Sequence, residues 1–304
     1  MSKAIDFKNE DALAIRNVYQ KYRNLFVEQT SAFSLSKVAP YFGYIDVEIS
    51  GLENFCMFSN NDDFVAKEYF WKGTNAYEPM SIKVWLSLAK SSAVIFDIGS
   101  YTGLYSLAAA TQNRKAKVYA FEALDVVYSR LLANIQVNNL GNMKAYHLAV
   151  SNEEGSAEFN VYAGDTVLST GSTLVDEIKN RERFQTKHVR AARLDDLVNE
   201  LSVPRLDLMK IDTEGAEHLV IQGGQDALKK HTPDIICEVL GGARADQINS
   251  VLSEIGYHFF RIDEAAMSIR QIDSISSCAN PDNLNTLVTM KSPEKINQLI
   301  TGVP

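Results

Sequence analysis

The chain is poor in cysteine and in long apolar runs. Its three cysteines, Cys56, Cys237 and Cys278, are odd in number and far apart. That excludes a disulfide framework and zinc-type spacing, and reduced thiols are the simpler expectation. The opening MSKAIDFKNED lacks the apolar core of a signal peptide. No stretch is long enough and apolar enough to span a bilayer, so a cytoplasmic chain with no membrane partner is expected. Positive charge is also in short supply: 30 Lys and Arg against 38 Asp and Glu leave a net charge of -8. Such a surface repels a phosphate backbone, and nucleic acid is not expected as a partner. The densest basic stretch, KNRERFQTKHVR at 179–190, reads as a solvated loop. There is no internal repeat and no low-complexity tract.

What is present is ample apolar content, 46% of 304 residues. That is enough for one large α/β domain with an extension. Residues 9–28 carry Leu13, Ile15, Val18, Tyr19, Tyr22, Leu25 and Phe26 at helical spacing and predict an amphipathic helix. Residues 41–70 are aromatic-rich and alternate like short antiparallel strands, with turns near Gly51 and Asn60–Asp63. These residues make up an α+β extension, 1–75, before a second unit, 76–304.

From residue 80 the rhythm changes. A helical stretch at 81–88 is followed by VIFDIG, a short unbroken apolar run closed by glycine, which marks a buried parallel strand. Helix and strand then alternate. Seven strands are predicted at 94–99, 117–122, 143–150, 206–212, 234–240, 257–263 and 285–290, with 264–283 as a loop. The pattern implies a mostly parallel, Rossmann-like sheet with helices on both faces.

In such a sheet, ligands bind beyond the carboxyl ends of the strands. The first of these loops reads Asp97-Ile-Gly99-Ser-Tyr101-Thr-Gly103. Its D-x-G-x-x-x-G pattern is not the G-x-G-x-x-G dinucleotide fingerprint. Its glycines allow a sharp turn and a close approach to a ligand. Glu122, with Ala123 beside it, closes the second strand about twenty residues on, where a carboxylate can accept from both ribose hydroxyls of a nucleoside. The third strand ends at Ala149 and Val150, whose turn would face a purine. The fourth ends Asp212-Thr-Glu214-Gly-Ala-Glu217. Asp212 and Glu214 are the candidates for proton removal or substrate binding. Glu217 reads as a first-turn residue meeting a helix dipole.

Together these segments resemble the FkbM family of methyltransferases: DIGSYTGLYS at 97–106, VYAFE at 118–122, NIQVNN at 134–139 and KIDTEGAE at 210–217. Tyr77-Glu78-Pro79 is similar to that family's segment before the first strand. The resemblance runs from about Tyr77 to Val239. It implies a class I methyltransferase fold with S-adenosylmethionine as methyl donor, held by Glu78, Asp97, Gly99, Tyr101, Gly103, Glu122, Ala123, Ala149, Val150 and Asp212. It further implies a small hydroxylated acceptor on a sugar or secondary metabolite. Tyr101 and Ser100 depart from the family's more usual Asn and Ala.

An alcohol is a weak nucleophile, so a nearby base would help. Asp212 and Glu214 come first, with His218 second. Asp212 and Glu214 could share a magnesium ion, but no third ligand is evident, and no metal is expected. Two alternatives remain open: methylation of a nitrogen in a peptide or amino sugar, and a nucleoside-binding module without catalysis. The predicted first helix is expected at the mouth of the sheet or against a second copy of the chain, which leaves a homo-oligomer open.

Overall fold

The computed structural model describes residues 2–22, 31–162, 168, 184–240, 244–276 and 283–301. Cys278 and residues 179–183 of the basic stretch lie outside them. The extension holds α1 (Ser2–Tyr22), α2 (Ala32–Val38), the strands β1 (Phe42–Val47) and β2 (Phe55–Asn60), and α3 (Phe64–Lys72). Next come α4 (Pro79–Ala89), β3 (Val94–Ile98), α5 (Leu104–Gln112), β4 (Lys117–Glu122), α6 (Asp125–Val137) and β5 (Met143–His147). Three further strands, β6 (Ala149–Ser151), β7 (Gly155–Tyr162) and β8 (Phe184–Arg193), lead into α7 (Leu194–Glu200) and β9 (Leu208–Ile211). The remainder is α8 (Glu217–Gly223), α9 (Gln225–His231), β10 (Asp234–Glu238), α10 (Ala245–Ile255), β11 (His258–Asp263), β12 (Ser268–Ile272), β13 (Asn285–Thr289) and α11 (Pro293–Thr301).

The main sheet runs β12-β11-β13-β10-β9-β3-β4-β5. All seven predicted strands are in it, and an eighth, β12, forms an edge. The expectation of a plain loop over 264–283 is corrected here: Ser268–Ile272 pairs antiparallel with β11. Its burial pattern is largely exposed, so no apolar run signals it. The five strands from β5 to β10 are parallel, and β13 runs antiparallel between β10 and β11. The order reverses at β3, which pairs β4 on one side and β9 on the other. A ligand crevice belongs at that switch point.

Alternation along each strand splits the core between the two faces. Ile95, Leu208 and Ile236 face α4 and α5, whereas Phe96, Met209 and Ile235 face α8, α9 and α10. On the first face the apolar core continues into the extension, where Phe70 and Trp71 share it with Trp85 and Leu107. Trp71 is 1% exposed and its indole N–H donates to Ser36 Oγ at 2.9 Å.

Two segments differ from expectation. Residues 64–70 are a helix and not a strand, because Asp63 Oδ1 caps α3 by accepting from the Ala66 amide at 2.9 Å. The run 143–150 breaks at Leu148, whose amide donates to the Glu122 carbonyl at 3.1 Å. Ala149–Ser151 then joins a separate sheet ordered β6-β8-β7. The predicted first helix, 9–28, is observed within Ser2–Tyr22, and residues 23–28 lie outside the described residues. Among the described residues no helix is long and apolar enough to cross a membrane.

Candidate active site

A pocket opens at the carboxyl ends of β3, β4, β9 and β10. The turn after β3 forms its floor. Gly99 has φ 77°, and a Cβ there would sit 1.7 Å from the Asp212 carbonyl oxygen, so only glycine lets the two loops meet. The Gly99 and Ser100 amides both donate to the Phe121 carbonyl at 3.0 Å, which ties this turn to β4. Asp97 lines the pocket, accepts from the Ser106 hydroxyl, and is pushed by burial up to about 6.

Glu122 projects from the end of β4. Its Oε2 accepts from the Tyr101 amide at 3.1 Å and its Oε1 from the Leu124 amide at 2.8 Å. Each oxygen keeps a second lone pair for a ligand hydroxyl. Burial drives this carboxyl up to about 7 against the pull of those backbone donors. Tyr101 meets this geometry with a left-handed backbone, φ 49°. Ala123, Leu124, Val127, Leu148, Ala149, Val150 and Phe159 line an apolar slot beside Glu122.

The opposite wall is charged. Lys210, 1% exposed, places Nζ 2.9 Å from Asp212 Oδ2 and 5.0 Å from the centre of the Tyr105 ring. Burial works against the ammonium, but Asp212, Glu78 and Glu238 outweigh it and raise its pKa. Burial also works against the Asp212 anion, but Lys210 and a hydrogen bond with Glu238 hold it below the usual carboxylate range. Glu214 is pushed up to about 9 by burial and by Asp212 and Glu217. Its φ of 56° is left-handed, and the loop is braced by Glu217. Glu217 Oε1 accepts from the Thr213 amide at 2.9 Å, the Thr213 hydroxyl at 3.0 Å and the Gly215 amide at 3.0 Å.

The structure gathers Asp97, Gly99, Tyr101, Glu122, Ala123, Ala149, Val150, Asp212 and Glu214 around one pocket. Three predicted residues fall elsewhere. His218 is buried on α8, 3% exposed, and does not line the pocket; the helix turns its side chain into the core. Gly103 is the N-cap of α5, and a Cβ there would meet Leu131 Cδ1 at 2.5 Å, so its demand comes from helix packing. Glu78 stands behind the lining, its Oε2 accepting from the Tyr105 hydroxyl at 2.5 Å. Among the lining residues that carry no prediction are the polar Tyr77, Tyr105, Lys210 and Glu238. Glu238 is the carboxylate that sequence spacing could not supply beside Asp212 and Glu214. The oxygens of the three lie within 4.8 Å of one another. A signal did exist, since two neighbouring parallel strands both end in an acid.

Residues 97–259 match the methyltransferase FkbM domain family. The chain is similar to the AMB antimetabolite synthetase AmbE of Pseudomonas aeruginosa, at 32% identity over 200 residues, which cover 54% of this chain and 9% of that protein. It is similar to methyltransferase sdnD of Sordaria araneosa, at 29% identity over 216 residues, covering 62% of this chain and 82% of the relative. A third relative is the 31-O-demethyl-FK506 methyltransferase FkbM of Streptomyces tacrolimicus, 25% identical over 172 residues, covering 48% of this chain and 65% of that one. The chain thus spans less than a tenth of the synthetase and just under two thirds of the third relative. The family match takes in the carboxyl ends of β3, β4, β9 and β10, where the pocket lies, and the chain belongs to the FkbM family of S-adenosylmethionine-dependent methyltransferases.

Proposed function

We propose that this chain transfers the methyl group of S-adenosylmethionine to a hydroxyl of a small acceptor. The observation that carries the reading is the charge of the pocket: five carboxylates line it, Asp97, Glu122, Asp212, Glu214 and Glu238, with Lys210 as the one cation in the lining. An anionic pyrophosphate finds only one cation there, whereas a donor bearing an ammonium and a sulfonium favours the ionised form of these carboxyls.

The donor set fits the cofactor part by part. Glu122 offers its remaining lone pairs to the ribose hydroxyls. The apolar slot from Ala123 to Phe159 accepts the purine, and Asp97 the amino-acid ammonium. When bound, the cofactor supplies an already activated methyl group. The chain's own task is to align the acceptor, exclude water and take up a proton. The carboxyl cluster of Asp212, Glu214 and Glu238 takes that proton, with Lys210 fixing Asp212 and Glu217 fixing the backbone of Glu214. General-base help of this kind is worth about 10²–10⁴-fold in rate. A hydroxyl needs it more than an amine does, which favours oxygen as the acceptor atom. The name of the Streptomyces relative specifies methylation at an oxygen.

Calorimetry with S-adenosylmethionine, S-adenosylhomocysteine and NAD tests the donor. Tight NAD binding with no heat from either methionine-derived nucleoside ends the reading. Tritium transfer from labelled donor into a panel of monosaccharides, hydroxy acids and matched amines tests the acceptor. Labelling of the amines alone would replace oxygen by nitrogen.

A further inference from the structure

Strand register brings Glu238 beside Asp212. Cys237 pairs with Ile211 across the parallel ladder of β10 and β9, so the next residue on each strand emerges at the same level. One carboxyl oxygen from each of Glu238, Asp212 and Glu214 lies within 4.8 Å of the others. Like charges this close in a buried pocket disfavour full ionisation, so one carboxyl of the cluster holds a proton. Lys210 decides which one. Its ammonium, 2.9 Å from Asp212 Oδ2, fixes the anion on Asp212 and leaves the proton on Glu238. The other groups facing this pair are Glu214 from the loop after β9, Glu217 on α8, Cys237 on β10, and Tyr77 and Glu78 from the segment before α4.

We propose that Glu238 is a catalytic residue of the methyl transfer: it shares a proton with Asp212 until the cationic donor binds, loses that proton to solvent, and then takes up the proton of the acceptor hydroxyl. The inference rests on the reading of the chain as a methyltransferase acting on a hydroxyl. A positive sulfonium entering a cluster of three carboxylates favours the ionised form of each, because opposite charges attract most strongly where water is excluded. During transfer a lone pair of the acceptor oxygen forms the new C–O bond. The electrons of the S–C bond return to sulfur, leaving a neutral thioether, and the O–H proton passes to Glu238. The positive charge is then gone from the pocket and the proton is again shared with Asp212. One proton released on donor binding is replaced by one taken from the acceptor, so the chain ends the cycle as it began.

The test needs no acceptor at first. The full chain is titrated at neutral pH with S-adenosylmethionine and, separately, with S-adenosylhomocysteine, each in phosphate and in Tris, two buffers of different ionisation enthalpy. The two nucleosides differ only in the methyl group on sulfur and the positive charge that comes with it. Greater proton release with S-adenosylmethionine than with S-adenosylhomocysteine is expected, since the ammonium and ribose act alike in both. Glu238→Gln should bind both, lose the extra release seen with S-adenosylmethionine, and label the acceptor found in the tritium screen at least about 100-fold more slowly. Equal release with both nucleosides, or none with either while both bind, overturns the role of Glu238 alone. So does a Glu238→Gln chain that keeps half of the original rate. If neither nucleoside binds, the methyltransferase reading fails and takes this one with it. Should Glu238→Gln not fold, the comparison of the two nucleosides on the unaltered chain decides by itself.

Discussion

The side-chain amide of Asn138 forms a reciprocal pair with the backbone of Cys56, accepting from the Cys56 amide at 2.7 Å and donating to its carbonyl at 2.7 Å. One turn earlier on α6, Asn134 accepts from the Phe58 amide at 2.8 Å and donates to the Thr102 carbonyl at 2.9 Å. A turn before that, Arg130 reaches the Phe58 carbonyl at 3.0 Å. β2 is paired with β1 on one side only, and this row of side chains satisfies its other edge. Asn138→Leu should therefore destabilise the chain by roughly 1–3 kcal/mol, the cost of leaving buried backbone groups unsatisfied. Chemical denaturation measures it, and an unchanged midpoint would mean that water replaces the amide without cost.

Glu122→Gln should weaken S-adenosylmethionine binding by about 10-fold or more, the worth of a charge-assisted hydrogen bond. Glutamine keeps one oxygen for the Tyr101 or Leu124 amide but turns an NH2 donor toward the other, so melting should fall less than in the alanine variant. Glu122→Ala is expected to lose stability as well, since it strands both amides. Calorimetry and a melting curve on the two variants separate these effects. Equal affinity in all three chains would take Glu122 away from the ribose.

Stability of the unliganded chain should fall as pH rises. Asp97, Glu122 and Glu214 are pushed mainly by burial to about 6, about 7 and about 9, above their usual values of 3.8, 4.5 and 4.5. Each therefore holds its proton more tightly folded than unfolded. The stability they lend is complete below the unfolded values and is lost as pH rises through the folded ones, between about pH 4 and pH 9. Melting temperatures across that window should decline, and Glu214→Gln should flatten the upper part. A flat profile in the unaltered chain contradicts the raised values.

Removing residues 1–22 should cost stability before it costs chemistry. α1 lies on α3, where Tyr19 meets Trp71 edge-on at 6.4 Å and Gln20 donates to the Trp71 carbonyl at 3.3 Å. No residue of α1 lines the pocket; the extension reaches it through Val65 of α3. The truncated chain should melt lower and lose cofactor affinity in proportion. Full stability with lost transfer would instead give α1 a part in handling the acceptor.

Much of this was legible in the sequence for a physical reason. β3, β9 and β10 are buried along their whole length, so they read as short, mostly apolar runs. α3 misleads by the same logic: Val65 to Trp71 are all buried, and a helix covered on every side has no polar stripe to show its period. The half of the pocket proposed for the cofactor lies directly after strands, where Asp97, Gly99 and Glu122 stand in sequence order. Glu238 escapes because its neighbour Asp212 is fixed by strand register and not by spacing along the chain. His218 fails because a helix turns one residue in and the next away, and nothing in AEHLV says which.

Glu264 accepts from the Met80 and Ser81 amides at 2.8 and 3.0 Å, closing the first turn of α4 from the tip between β11 and β12. Glu78, just ahead of that turn, carries a left-handed backbone and Tyr77 lines the pocket. The wall over the cofactor site is thus pinned by a residue translated more than a hundred and eighty positions later. On the ribosome, the early strands emerge long before the clamp that sets this wall, and β3 emerges long before its neighbour β9. A nascent chain halted after α9 would own nearly every residue proposed to bind the cofactor and still lack the residue that pins this wall.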